Sequence, residues 1–237
     1  MAVIYAADDE KDIRDILSVF LESEGHEVFS FENGDELYDK FIETPCDLIL
    51  LDIMMPGTDG LIICSKIRKI SKVPIIMLTA KNTDTDYISG LALGSDDYMT
   101  KPFKPTILMA KIRALLRRVE LERRDEVDRG TGEKSSVKDI SSGDLKYVVK
   151  EHIVYCNGRE VNLTATELKF LMYMMEHENE AISKETILNE IWGYSAEIET
   201  RVADETNRRL RKKLTEAGSY MYVQTVWGYG FKFTKKE

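Results

Sequence analysis

The sequence predicts two domains in tandem: an α/β domain on a doubly wound parallel sheet, then a smaller α+β domain of short strands and three helices. Three observations carry that prediction. Continuous apolar runs alternate with helix-period segments over about the first 120 residues, the pattern of a sheet covered on both faces. A charged stretch without apolar period follows. Beyond it come a hairpin signal and capped amphipathic helices at short spacing. With 237 residues, the chain is long enough for two cores of ordinary size.

In the first domain, apolar runs bounded by polar turns occupy residues 2–7, 47–51 and 74–80 and surround Tyr98-Met99. Ile13, Ile16, Leu17, Phe20 and Leu21 follow the spacing of one buried helix face, and Gly25 supplies its C-terminal stop. Leu108, Ile112, Leu115 and Val119 repeat the pattern in a later helix. Ligands of such sheets bind beyond the carboxyl ends of the strands. The residues ending the runs are Asp8 and Asp9, Asp52, Thr79, and Lys101. Converging carboxylates raise one another's pKa unless a cation sits among them, and Mg²⁺ suits hard oxygen ligands. One ionised carboxylate could then attack phosphorus, with a hydroxyl and an ammonium stabilising the equatorial oxygens.

Charge is divided unevenly. The chain carries a net charge of −9, yet residues 201–213 hold six basic side chains against two acidic ones. Such a stripe is a local feature that overall acidity hides, and it points toward a polyanion. No run approaches the roughly 18 apolar residues of a membrane-spanning helix, and the N-terminus lacks the basic start of a secretion signal. Cys46, Cys64 and Cys156 are odd in number and scattered, which argues against a disulfide framework and for a reducing compartment. The three histidines form no zinc pattern. The expectation is a cytoplasmic protein with no membrane partner.

The domains are expected at residues 1–120 and 144–237, joined by a linker over 121–143 whose residues 125–143 read as a flexible tether. In the second domain, residues 147–149 and 153–155 are strand-like, and Asn157-Gly158 signals a two-residue hairpin. Thr164 and Glu167 form a capping box ahead of a helix with Leu168, Leu171, Met172 and Met175 on its apolar face. Ser183 caps the next helix, with Ile187, Leu188, Ile191 and Trp192 inside and Gly193 at its end. In a third helix over about 199–215, Ala203, Leu210 and Leu214 share one side. Arg201, Glu205, Arg208 and Lys212 lie opposite, with Arg209 and Arg211 toward the flanks. One buried side and one cationic side suit a helix in a major groove. A C-terminal hairpin around Trp227-Gly228-Tyr229-Gly230 follows.

Specific motifs now connect these features. Ala7-Asp8-Asp9-Glu10, Asp52-Ile53-Met54-Met55-Pro56-Gly57, Thr79-Ala80 and Asp97-Tyr98-Met99-Thr100-Lys101-Pro102-Phe103 resemble a two-component receiver domain of the flavodoxin/CheY-like, five-stranded type. The resemblance implies that Asp52 takes a phosphoryl group from a sensor histidine kinase. It also implies that Asp9, Asp52 and the Met54 carbonyl bind Mg²⁺, with Asp8 acting largely through water. Lys101 and Thr79 would contact the phosphoryl group, Tyr98 would be an aromatic switch, and the Lys101-Pro102 bond would be cis. Residues 145–235, with Trp192-Gly193, Asp204, Arg208-Arg209-Leu210-Arg211, Thr225-Val226 and Gly228-Tyr229-Gly230, resemble the winged helix-turn-helix effector of the OmpR/PhoB type. That implies double-stranded DNA contacts from the third helix and the wing (Thr225, Trp227, Tyr229), and RNA polymerase contact by the loop 194–200.

Three departures from the family pattern bear on mechanism. Trp227 stands where the wing commonly carries Arg, so contact there is by packing or stacking rather than by a guanidinium in a narrow minor groove. Glu205 and Asn207 replace residues that are usually apolar. Glu205 is expected to face outward, where it accepts from a cytosine amino group or neutralises Arg208 or Arg209, the second being favoured. Active members pair as homodimers through the receiver's last two helices and last strand, using ion pairs. Here Tyr87 and Ile107 replace one pair with exposed apolar groups, leaving Asp97 and Lys111 for a second. The expected function is phosphorylation-dependent DNA binding by a non-enzymatic transcriptional regulator. A phosphate-independent regulator with a constitutive hydrophobic dimer, an Asp-dependent phosphohydrolase and a protein-binding module are the alternatives. Met54 argues against the hydrolase, because an apolar residue cannot serve as the general acid.

Overall fold

The computed structural model describes residues 1–80, 94–130, 139–193 and 201–236, with residues 118–130 and Arg201 described in backbone alone. It divides into two compact units, Met1–Glu126 and Val127–Glu237. In the first, β1 (Val3–Ala7), β2 (Glu27–Phe31), β3 (Leu48–Asp52), β4 (Ile75–Ala80) and β5 (Asp97–Lys101) form one sheet in the order β2-β1-β3-β4-β5. Every neighbouring pair is parallel. All five residues of β3 are buried, which is why this strand reads as an unbroken apolar run. β2 was not visible as an apolar run. It lies at the sheet edge with Glu27, Phe29 and Ser30 exposed, so its sequence lacks a continuous apolar signature.

The helices described in this unit are α1 (Lys11–Ser23), α2 (Gly34–Glu43), α3 (Gly60–Arg68) and α4 (Pro105–Gly130). Leu17 and Leu21 of α1 pack with Ile4, Leu48, Leu50, Ile76 and Leu78 from the strands, and with Leu108, Ile112 and Leu115 from α4. Ile16, expected on the buried face, is exposed instead. The buried stripe centres on Leu17 and Leu21, which leaves the neighbouring position to solvent. Gly25 ends α1 with φ of +83°, as a C-terminal stop requires. Helix α4 runs to Gly130 and a strand begins at Ile140, so regular backbone occupies both ends of the segment read as a tether.

The second unit holds two antiparallel sheets. One is ordered β6 (Ile140–Ser142), β7 (Leu145–Val148), β8 (Ile153–Cys156) and β9 (Arg159–Val161). Asn157 and Gly158 turn β8 into β9 with φ of +48° and +78°, the left-handed pair that a two-residue hairpin needs. The other sheet places β12 (Gly230–Lys235) between β10 (Ala181–Ser183) and β11 (Met221–Val226). Three helical segments pack with these sheets. They are α5 (Ala165–Glu176), α6 (Lys184–Ile187, continued by a wider turn over Leu188–Trp192) and α7 (Arg201–Glu216). Both bonds of the capping box are present on α5. Ser183 caps α6, and Gly193 closes it with φ of +72°. Phe170, Leu171, Met174 and Met175 form the inward face of α5, whereas Leu168 and Met172 are half-buried. The free cysteines Cys46, Cys64 and Cys156 are all buried.

Candidate functional site

The carboxyl ends of the parallel strands bring the acidic residues together. Asp8 and Asp9 follow β1, and Asp52 is the last residue of β3. One ligand atom from each of Asp8, Asp9 and Asp52 lies within 4.8 Å of the others. Asp8 and Asp52 are buried while Asp9 is exposed. From the end of β5, Lys101 reaches between the two buried acids, its Nζ 2.7 Å from an oxygen of each, and 3.2 Å from Glu10. The Lys101–Pro102 bond is cis. Helix α3 starts against the back of the site, where a Cβ on Gly60 would lie 1.9 Å from the Asp52 carbonyl oxygen; only glycine permits that approach.

Burial dominates the electrostatics here. It pushes the Asp52 carboxyl above its ordinary value, opposed by Lys101 and reinforced by Asp8. Asp8 moves the same way, again through burial, with Lys101 opposing. For Lys101, burial favours the neutral amine, but hydrogen bonds to Asp52 and Asp8 outweigh it and raise its pKa. One ammonium therefore serves two buried carboxylates. Three hard oxygen donors with one internal cation form a donor set that fits a divalent ion such as Mg²⁺.

The flanking residues are distributed as follows. Thr79 is buried, and its hydroxyl donates a long bond of 3.3 Å to the Ala80 carbonyl. Tyr98 is buried with the Lys111 ammonium 5.5 Å from its ring centroid. The Met54 amide donates to Asp52 at 3.4 Å, and its side chain is 65% exposed. Asp97 and Lys111, expected to pair between subunits, pair within the chain at 2.8 Å and are both buried. Ile107, expected to be exposed, is partly buried against the core, because it precedes the buried pair Leu108-Met109 on the first turns of α4. Tyr87 and the loop 194–200 lie outside the described residues.

On α7 the structure separates side chains that the sequence grouped. Arg208 and Lys212 face solvent. Arg209, expected on the flank, is buried, its Nε 3.4 Å from the fully buried Glu167. Lys213 reaches the other Glu167 oxygen at 2.6 Å. Arg211 turns toward the wing, donating to the Val223 carbonyl and to Thr225 Oγ1 at 2.9 Å; burial lowers its pKa. Glu205, expected to face outward, is buried beneath Arg208, whose guanidinium makes three hydrogen bonds to its carboxylate. Desolvated cations need partners, and one basic stripe here supplies both an inner network and an outer face. The Glu167 link was missed because its capping role alone explained that residue. At the wing, Trp227 is 92% exposed and Tyr229 is also exposed, on a turn that Gly228 closes with φ of +72°.

Comparisons with known proteins find two families along the chain. Residues 4–113 match the family described as response regulator receiver domain. Residues 158–233 match the family described as transcriptional regulatory protein, C terminal. The chain is 37% identical over 235 residues to the regulatory protein VanR of Enterococcus faecium, covering 98% of each. It is 39% identical over 232 residues to the uncharacterized transcriptional regulatory protein YclJ of Bacillus subtilis strain 168, covering 97% of this chain and 98% of that protein. Among solved structures, the response regulator DrrB, a Thermotoga maritima OmpR/PhoB homolog, superposes with a TM-score of 0.50 at 28% identity, over 99% of both chains.

Proposed function

This chain belongs to the two-component response regulators of the OmpR/PhoB type, and from that premise we propose that Asp52 is its phosphoacceptor and α7 its DNA-reading helix. It is a phosphorylation-dependent transcriptional regulator of a two-component system. The observation that carries the assignment of Asp52 is Lys101, which reaches Asp8 and Asp52 at 2.7 Å each at the ends of three parallel strands.

An oxygen of Asp52 attacks the phosphorus of a phosphohistidine on the sensor kinase. The new P–O bond forms as the P–N bond breaks, and the imidazole leaves. Asp8, Asp9, Asp52 and the Met54 carbonyl would hold Mg²⁺, which supplies positive charge to the phosphoryl oxygens when bound. Lys101 then exchanges a carboxylate partner for a phosphoryl oxygen, and the weakly held Thr79 hydroxyl turns toward the same group. Tyr98 follows Thr79 and alters the receiver's dimer face. The exposed Met54 stands where an aspartyl-phosphate hydrolase carries its acid, which supports a phosphoryl group held as a signal rather than turned over.

In the second domain, Arg201, Arg208 and Lys212 meet double-stranded DNA from α7, while Trp227 and Tyr229 meet it from the wing. Two copies paired through their receivers place two helices on tandem half-sites about one helical turn apart. The loop 194–200 contacts RNA polymerase, and the site of action is the cytoplasm. The test is a phosphodonor titration with Mg²⁺, read by intact mass and by gel shift. The wild type should gain one phosphoryl mass and shift duplex at lower protein concentration, and Asp52→Asn should do neither. Equal mass gain in the variant would remove Asp52 from the role.

A further inference from the structure

Glu205 and Arg208 form a clasp on α7 whose geometry specifies more than charge neutralisation. Arg208 Nε lies 2.9 and 2.8 Å from the two Glu205 oxygens, and Nη2 lies 2.5 Å from Oε1. The carboxylate side chain is 9% exposed and the guanidinium side chain 49%. The acid is therefore the covered partner and the base the presented one. These bonds occupy the Nε–Nη2 edge of the guanidinium, while Nη1 makes no hydrogen bond among the described residues. The outer edge keeps parallel N–H donors on Nη1 and Nη2, held in a plane that an unpaired arginine would have to find by freezing its rotors.

We propose that Glu205 is a positioning residue that sets Arg208 for bidentate recognition of the O6/N7 edge of one guanine in each half-site. The inference rests on the reading of α7 as the helix in the major groove. A phosphate could also take two donors, but phosphate contact draws mainly on net positive charge, which the paired carboxylate cancels. Guanine recognition draws on the donor pattern, which the clasp preserves. Lys212, one turn on, has a 71% exposed side chain held only at 3.9 Å by the similarly solvated Glu216, a loose pair that gives way to a phosphate. A lone outward carboxylate would repel the duplex; a covered one acts through the arginine above it.

The experiment uses the full chain, phosphorylated with a small phosphodonor and Mg²⁺, on a randomised duplex library. Affinities for the selected and for unrelated duplexes are then measured for wild type, Arg208→Ala, Glu205→Ala and the near-isosteric Glu205→Gln. Arg208→Ala should lose a guanine preference at one base pair per half-site, about tenfold or more. Glu205→Ala should flatten the preference at that same base pair while binding unrelated duplex more tightly, since one negative charge is gone. Glu205→Gln should fall between them, and it carries the test if the alanine variant unfolds. A wild-type preference retained in the Glu205 variants would overturn the proposal. So would a preference lost at a different base pair, which would make Glu205 itself a reader, or a uniform loss in Arg208→Ala, which would make Arg208 a phosphate contact. If Arg208→Ala binds every duplex as the wild type does, the DNA reading of α7 fails and this inference with it.

Discussion

Asn207 sits among Ala203, Leu210 and Leu214 on the buried stripe of α7, and its Oδ1 has no hydrogen-bond partner among the described residues. A buried amide oxygen without a donor forfeits its hydration and receives nothing in return. Asn207→Leu, close in volume, should therefore stabilise the second domain by about 1–2 kcal/mol. Urea denaturation reads this directly as a higher midpoint at unchanged slope; a lower midpoint would mean that the amide nitrogen carries a bond worth more than the orphaned oxygen costs. The same scale shows what a sequence conveys about single residues. Asp8, Asp52, Thr79 and Lys101 were legible because each ends an apolar run, and strand ends converge in a parallel sheet. The burial of Glu205 and Arg209 was not, since helical periodicity places a residue on a face without saying whether a neighbouring charge folds over it.

Between elements, Asp144 is the clearest tie within the second domain. It lies in the turn from β6 to β7, and its carboxylate accepts from the Ser219 hydroxyl at 2.8 Å and from the Tyr220 amide at 3.0 Å. The first sheet is thereby fastened to the residues that lead into β11. Burial, the largest influence, works to raise its pKa, but these hydrogen bonds prevail and hold it below the ordinary 3.8. A carboxylate depressed on folding adds stability that is present above its unfolded value and lost as pH falls through its folded value. Asp144→Asn should thus cost roughly 1–2 kcal/mol at neutral pH, with the difference shrinking as acid is added and vanishing below the folded pKa. Thermal melts of both proteins at successive pH values check this, and a gap that persists in acid would assign the loss to packing. Signals confined to one element were the readable ones: the capping box at Thr164, the cap at Ser183 and the Asn157-Gly158 hairpin. Strand β2 and the Asp144 tie depend on partners distant in sequence, so no local pattern announces them.

For the molecule as a whole, the proposed function links an acidic receiver to a DNA-binding unit by letting the receiver's chemistry change how many readers reach the operator at once. Pairing two chains makes the second binding event intramolecular, so a modest receiver equilibrium becomes a large change in occupancy. Under the proposed receiver pairing, the character of the contact follows from what the expected dimer face has left to offer. Asp97 and Lys111 are engaged with each other inside one chain, and Ile107 packs partly on its own core. The charges expected to bridge two subunits are therefore already paired within each, which leaves few ion pairs to cross the proposed interface. Raising salt from about 0.1 to 1 M shortens the screening length from roughly 10 to 3 Å, weakening exposed ion pairs while leaving apolar burial intact. Sedimentation equilibrium of the phosphorylated wild type should accordingly give a dimer constant that moves less than about threefold over that range, whereas duplex binding falls by orders of magnitude. Asp52→Ala, carried through the same series, fixes the reference: a monomer there makes phosphorylation the driver, and a dimer makes pairing independent of it. A dimer constant that collapses with salt in the wild type would mean that ion pairs cross the interface after all, and that the Asp97–Lys111 pair opens when the subunits meet.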